Sequence, residues 1–404
     1  MKTLIKNIGQ LVTYDSAIKG MKIHKNVEMI IEDGKVVEIG NDLYSTEMEI
    51  IDAEGKLVTP GFVDAHTHPV FYKTRENEFE MRVMGKTYHE IAAAGGGIKA
   101  SARRLRQGDP KILKEQTLKN INRFFCFGTT TIEAKSGYGL STESELTSLR
   151  ILKEINKDHD LEIYSTFLGA HEFPEDFQND HEGYIDKLVG EMLPQIVREG
   201  LADFCDVFCE EGVFSVEETR RVLEPAKSLG LGIRIHADEF KPLGGTELAA
   251  KLGACSADHL IAITDDGIQA LKENGVVPVV LPATMFFLGS EKYAPARKMW
   301  DQGLPVAIAT DFNPGSSHTQ SMPFVITTAC LKMGLTPLEA IQAATFHAAK
   351  SLKIENNVGS LEKGKQADFC IWDFKNYQGI PYYLATTPVY KVFKKGKMVW
   401  EFEI

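Results

Sequence analysis

The chain has no apolar run near the roughly 18 residues a membrane helix needs, no CxxC pair, no GxGxxG loop and no excess of positive charge. Each absence removes a class of protein. Six cysteines in 404 residues, at Cys126, Cys205, Cys209, Cys255, Cys330 and Cys370, are too sparse for a disulfide frame; they read as buried thiols in a reducing compartment. With 45 basic against 56 acidic residues and a formal charge of -11, the surface does not suit general nucleic-acid binding, and a small-molecule partner fits better. The segment "AGGGIKA" around Gly95–Gly97 has neither the spacing nor the preceding strand of a dinucleotide loop. "MKTLIKNIGQLVTYD" lacks the apolar core and cleavage site of a signal peptide, so a cytoplasmic location is the expectation. What remains is a folded composition, 43% hydrophobic and 25% charged, long enough for one large core and a smaller domain.

The first sixty residues read as short strands. "VEMIIEDGKVVEIG" turns at Asp33-Gly34, the usual mark of a tight hairpin, and "EIIDAEGKLVTPG" suggests a second at Glu54-Gly55. Near the other end, "GSLEKGKQADFCIWD" and "VYKVFKKGKMVWEFEI" repeat the strand-turn-strand pattern, the second at Lys395-Gly396. Neither end carries enough apolar surface alone, so residues 1–60 and 360–404 are expected to share one composite β-sandwich domain.

Between them, residues 61–359 alternate strands with helices. Strand candidates fall at Gly61–His66, Thr129–Ala134, Glu162–Leu168, Phe204–Phe208, Gly232–His236, Ser256–Leu260, Val276–Leu281 and Val306–Ala309. Helical candidates include "TESELTSLRILKEINK", "VEETRRVLEPAKSLG", "GTELAAKLGA" and "TDDGIQALKENG". Their capping signals are Thr142, Ser215 with Glu218, and Thr264. Eight such units predict a (β/α)8 TIM-type barrel; an open doubly wound sheet is the competitor.

Polar residues gather where those strands end, the rim at which such barrels carry chemistry. His66 and His68 in "PGFVDAHTHPVF" are two apart, so extended backbone turns both imidazoles to one side as half of a Zn2+ or Fe2+ site. His236 in "GIRIHADEF" and Asp311 in "VAIATDFNPG" are the best further ligands, since each ends an apolar strand where an unpartnered polar group is costly. The bland readings are a satisfied core histidine and a turn aspartate. Glu239, three residues past His236, and His259, beside Asp258 in "SADHL", are candidate proton carriers. His171 could face substrate, metal or a polar barrel cap. Arg75 in "KTRENEFEMR" would ordinarily be a surface arginine, yet its fork of donors would suit a substrate carboxylate. Glycines flanking Tyr138 in "AKSGYGLS" would let that phenol reach a pocket, and His318, close after Asp311, is a further candidate for its lining.

The ordered set "VTPGFVDAHTH", "HADEF", "SADHL" and "ATDFNPGS" resembles the metal-dependent amidohydrolase superfamily. "HTHPVFYKTRENEF", "TTTIEAKSGYGL", "TFLGAHEFP", "CDVFCEEGVFS" and "LPATMFFLG" make it similar to the imidazolonepropionase family within it, from about residue 20 onward. The resemblance implies a barrel with a composite β-sandwich, a homodimer, and one divalent metal per subunit, zinc or iron, on His66, His68, His236 and Asp311. It places substrate contacts on Arg75, Tyr138, His171, Glu239, Asn313 and Gly315, and proton transfer on Glu239, His259 and Asp311. The implied reaction is hydrolysis of the cyclic amide C–N bond of 4-imidazolone-5-propionate to N-formimidoyl-L-glutamate by a metal-activated water. Asp311 and His259 are alternative first bases. The loop "PVFYKT" departs from the family's small, glycine-bearing one. The fourth strand offers no lysine for the bridging carboxylate of two-metal relatives, while Lys135 ends the second, which favours a single metal. The rival readings are a nucleobase deaminase of the same superfamily and a metal-stabilised binding protein.

Overall fold

The computed structural model describes residues 2–43, 48–86, 90–91, 94–386 and 388–402. Five strands come first: β1 (Lys2–Asp15), β2 (Gly20–Glu32), β3 (Lys35–Gly40), β4 (Glu49–Asp52) and β5 (Leu57–Pro60). Eight follow with intervening helices: β6 (Phe62–Asp64), β7 (Thr129–Lys135), β8 (Glu162–Ala170), β9 (Phe204–Cys209), β10 (Gly232–Ala237), β11 (Ser256–His259), β12 (Val277–Val280) and β13 (Ala307–Ile308). Three more are β14 (Phe369–Trp372), β15 (Val389–Lys394) and β16 (Lys397–Glu401).

Strands β6 to β13 lie side by side in chain order, and every neighbouring pair is parallel. This is the TIM-type barrel, and all eight expected strands are present. The helices Thr142–Asp158, Val216–Ser228, Gly245–Leu252 and Asp265–Asn274 fall on the expected segments. Ser215 and Glu218 form a reciprocal capping box, and Thr264 caps through Gly267 N. Thr142 is different: it is the first helical residue, and Ser141 holds the cap position. Glu145 turns back to accept from the backbone of Gly137, Gly139 and Leu140, fixing the loop that carries Tyr138.

The strands of both chain ends form one mixed sheet, ordered β16-β15-β14-β5-β1-β2-β3 with β4 against β1. Val36 near one edge and Phe393 near the other belong to one buried cluster, so the sheet is folded over on itself. The hairpins at Asp33-Gly34 and Lys395-Gly396 form, with positive φ at all four residues. The expected hairpin at Glu54-Gly55 does not. Both β4 and β5 pair parallel to β1, at Thr3–Lys6 and at Gln10–Leu11, so the turn is a step along one edge over a bulge in β1. Gly9 N donates to Lys56 O there, so close that a Cβ on Gly9 would overlap the Gly55 carbonyl. "GSLEKGKQ" likewise forms turns and a bridge at Gln366 rather than a strand.

Lys394 locks sheet to barrel. Its Nζ reaches Asp368 Oδ2 at 2.7 Å and Glu162 Oε2 at 2.9 Å, nearly enclosed. Burial works to raise the Glu162 pKa, but the Lys394 charge overrides it and brings the group down to about 2. A depressed carboxylate stabilises the fold above its ordinary pKa and loses that contribution as pH falls toward the folded value. Glu162→Gln should therefore melt below the wild type at pH 7, by on the order of 3 kcal/mol at most. Thermal melts should show the gap narrowing as pH drops from 4.5 toward 2; a gap constant with pH would contradict this account.

Candidate metal centre

Four buried imidazoles and a carboxylate meet at the C-terminal rim of the barrel. His66 and His68 leave β6, His236 is the penultimate residue of β10, His259 ends β11 and Asp311 follows β13; all are at most 4% exposed. His66 Nε2 lies 3.3 Å from His68 Nε2. Asp311 Oδ1 is 3.6 Å from the first nitrogen and 3.4 Å from the second. His66, His68 and Asp311 form one group with donor atoms within 4.8 Å of one another, and His66, His236 and His259 form another. His66 belongs to both. The expected ligands are thus brought together, with His236 drawn in beside His259 as well.

Carboxylates set the ring states. His66 Nδ1 sits 2.7 Å from Asp258 Oδ2, which leaves its Nε2 lone pair facing the cluster. His236 Nδ1 lies 2.9 Å from Asp206 Oδ2 but out of hydrogen-bond alignment with it, so neither ring nitrogen of His236 has a hydrogen-bond partner. His68 Nδ1 is also without one. Burial, reinforced by neighbouring positive charge, holds His66, His68 and His171 well below the ordinary histidine value, and burial first of all takes His259 down to about 3. These rings are neutral at pH 7. His66 Nε2 and His68 Nε2, 3.3 Å apart, can share either a proton or a cation, and nitrogen donors with one carboxylate are a donor set that zinc and iron accept. The residues fit a divalent metal.

The adjoining cavity is lined among others by His68, Arg75, Tyr138, His171, Glu239 and Asn313. Arg75 is buried, 8% exposed, which overturns the surface reading; its Nε and Nη1 have no hydrogen-bond partner. Its nearest carboxylate, Glu78 Oε2, stands off at 3.7 Å. Gly315 lies flat against the guanidinium, leaving no room for a Cβ. His171 stacks on His68 and Tyr138 lies tilted against His171, with ring centroids 5.3 Å apart in both pairs. His171 Nδ1 donates to Gly137 O, so its Nε2 is an acceptor. Burial first, and then Asp311 and Glu210, raises the Glu239 pKa well above the ordinary carboxylate value, which favours its protonated form. It lies 3.5 Å from His259 Nδ1.

Asn313 lines the cavity but spends its amide on the loop. Its oxygen accepts from Gly315 N and Ser316 N, and its nitrogen donates to Asp311 O and Ser316 Oγ. His318 packs on Phe71 and Phe312 and is not among the residues of the cavity wall. Asp258 serves His66 and not His259, its neighbour in sequence. Four participants escaped the sequence reading: Glu133, Asp206 and Arg234 beneath the rim and Phe208 in the wall. Charges within the apolar runs "FCDVFC" and "GIRIHA", each two residues before a rim position and so on its face, were the signal for Asp206 and Arg234.

Lys135 is fully buried between Glu133 Oε1 at 2.7 Å and Asp206 Oδ2 at 2.8 Å. Burial alone would lower its pKa, but the two carboxylates raise it. An ammonium so held is not available as a carboxylated bridge between two metals.

Comparison with known proteins agrees with this arrangement. Residues 57–399 match the model of the amidohydrolase family. The chain is similar to imidazolonepropionase of Geobacillus kaustophilus, 47% identical over 93% of this chain and 91% of that one. It is also similar to imidazolonepropionase of Treponema denticola, 45% identical over 96% and 94%. Among solved structures, a zinc-bound adenosine deaminase from Xanthomonas campestris superposes with a TM-score of 0.75 at 18% identity, covering 98% of this chain and 92% of that one. At that identity the likeness concerns the fold.

Because Gly315 and Arg75 share one space, Gly315→Ala should push the guanidinium out of the cavity. Crystallography should show Arg75 displaced, with a loss of about 1–3 kcal/mol in stability; an unmoved Arg75 would remove the packing role given to this glycine.

Proposed function

The chain belongs to the amidohydrolase family and, within it, to the imidazolonepropionases, and from this we propose that its cavity opens 4-imidazolone-5-propionate to N-formimidoyl-L-glutamate. The observation that supports this substrate is a buried guanidinium with unsatisfied donors in the same cavity as a metal-ready histidine cluster. One end of the cavity suits a carboxylate, the other the chemistry of an amide.

His66, His68, His236 and Asp311 would hold one divalent ion, zinc or iron. When bound, such an ion supplies Lewis acidity, polarising an amide carbonyl and making water easier to deprotonate. The remaining steps belong to side chains. Arg75 grips the propionate, and Tyr138 and His171 line the path from it to the rim, so that binding energy spent at the carboxylate orients the ring. His259, neutral and without a partner on Nδ1, takes the proton from the attacking water. Glu239, already an acid, gives its proton to the departing ring nitrogen. The 3.5 Å between His259 Nδ1 and Glu239 Oε2 lets the first proton replace the second. Water thereby adds across the C–N bond, oxygen to the carbonyl carbon and hydrogen to nitrogen, and both side chains are restored. Asn313 contributes by holding the loop that presents Gly315 to Arg75.

A homodimer in the cytoplasm belongs to the same proposal, by extension from the family. Among the described residues no helix is long and apolar enough to cross a membrane.

Three sets of variants test the reading. Arg75→Ala should raise KM about 10- to 100-fold, the worth of a charge-assisted hydrogen bond, with a smaller change in kcat. Glu239→Gln should lower kcat about 100-fold or more. His66→Ala, His68→Ala, His236→Ala and Asp311→Ala should each lower the metal found per chain by elemental analysis. Release of ammonia from a nucleobase, with no loss of imidazolone absorbance, would replace this activity with a deaminase.

A further inference from the structure

Beneath the rim lies a layer of charged side chains that the reaction itself does not use. Glu133, Lys135, Asp206, Arg234 and Asp258 are all 0% exposed. Charges are not left at a barrel core without partners, because an isolated one costs several kcal/mol or loses its charge. Here the partners form two chains with the same order of groups. In one, Arg234 Nη2 donates to Asp258 Oδ2 at 2.9 Å, and that same oxygen lies 2.7 Å from His66 Nδ1. In the other, Lys135 Nζ donates to Asp206 Oδ2 at 2.8 Å, and that oxygen lies 2.9 Å from His236 Nδ1. Glu133 joins them, 2.7 Å from Lys135 Nζ and 4.0 Å from Arg234 Nε.

The two chains are anchored differently. Arg234 also donates to Ala65 O and Ser351 O, and Asp258 Oδ1 accepts from Ser256, so the His66 chain is tied to backbone and hydroxyl at several points. Asp206 has no such support: its Oδ1 is buried without a partner. Its place is set on one side by Lys135 and on the other by the ring it meets. Without the ammonium, no other hydrogen bond among the described residues holds that carboxylate against His236.

We propose that Lys135 and Asp206 act as positioning residues for His236, Lys135 seating the Asp206 carboxylate 2.9 Å from Nδ1 so that it accepts a hydrogen bond from the Nδ1–H of the metal-loaded ring and turns the Nε2 lone pair into the cavity. The proposal rests on the reading of His236 as a metal ligand. A carboxylate behind a ligating imidazole typically changes metal affinity 10- to 100-fold, so the effect is measurable without turnover.

The test is a double-mutant cycle on the purified zinc-loaded chain, with the zinc dissociation constant read by chelator competition. Asp206→Asn and Lys135→Met should each weaken zinc binding about tenfold or more. The double variant, which removes one buried charge of each sign together, should be no weaker than Asp206→Asn alone, because Lys135 acts through Asp206. Additive losses would overturn that dependence, and single variants that melt earlier with unchanged zinc affinity would leave both residues merely structural. Should the single variants fail to fold, 15N-histidine spectra of the zinc-loaded wild type decide the matter: the proposal requires a proton on Nδ1 of His236, and a proton on Nε2 would overturn it. His236→Ala separates the two levels. If that variant keeps its zinc, the ligand reading has failed; if it loses zinc while Asp206→Asn does not, only the positioning role has.

Discussion

The seam between the first and last barrel strands is the constraint on which the site depends. Strands β6 and β13 are short, and just beyond them the backbone closes the ring: Asp311 N donates to His66 O at 3.0 Å, and His68 N donates to Phe312 O at 2.7 Å. Thr67 and Phe312 form the matching parallel bridge. Barrel closure and ligand convergence are therefore one set of hydrogen bonds. The three donors His66, His68 and Asp311 cannot drift apart without opening the sheet. Asp64 reinforces the seam from below, accepting from Thr310 N at 3.0 Å and Thr310 Oγ1 at 2.6 Å. A further cost is accepted there: Asp311 and His259 sit at φ 51° and 78°, conformations worth roughly 1–3 kcal/mol of strain in a side-chain-bearing residue, which persist where surroundings over-determine them.

The strands and the two-apart histidine pair were legible because their signals are local. Eight branched apolar runs recur, each with a polar residue at its end or within a few residues of it, and alternation puts His66 and His68 on one side whatever the tertiary context. The partner of Asp258 was not legible for a related reason. Neighbours along a strand face opposite ways, so Asp258 points into the barrel toward His66, and His259 reaches the cavity only because its left-handed backbone re-aims it past the strand end. No sequence pattern announced that φ. The Glu54-Gly55 turn shows the same limit, since its composition specifies a reversal but not which strand the next segment will join.

Arg75 illustrates a different blindness. Its neighbours are charged, which by composition alone marks a solvated loop, yet Gly315, distant in sequence, supplies a flat surface on which the guanidinium is buried. Only the pair of positions carries the information, and the family resemblance, not the local chemistry, pointed to it. Asn313, which the resemblance places at the substrate, lines the cavity while its amide shapes the loop that holds Gly315.

Charge balance explains why the layer under the rim takes the form it does. Lys135 and Arg234 face Glu133, Asp206 and Asp258, with Asp311 above them; Asp64 is pushed up to about 7, chiefly by burial, and is about half ionised at neutral pH. Two cations against four carboxylates leave a deficit of positive charge at the point where the neutral imidazoles turn their lone pairs. A purely structural core would gain nothing from such a deficit, because replacing buried ionic groups with apolar ones is often neutral or stabilising. A core fit to receive a dication is served by it. The excess of carboxylate over cation is thus the electrostatic counterpart of the converging nitrogens, and it is why hydropathy averaged along β9 and β10, which counts Asp206 and Arg234 as blemishes in apolar strands, hides the residues that make the rim ready for a metal.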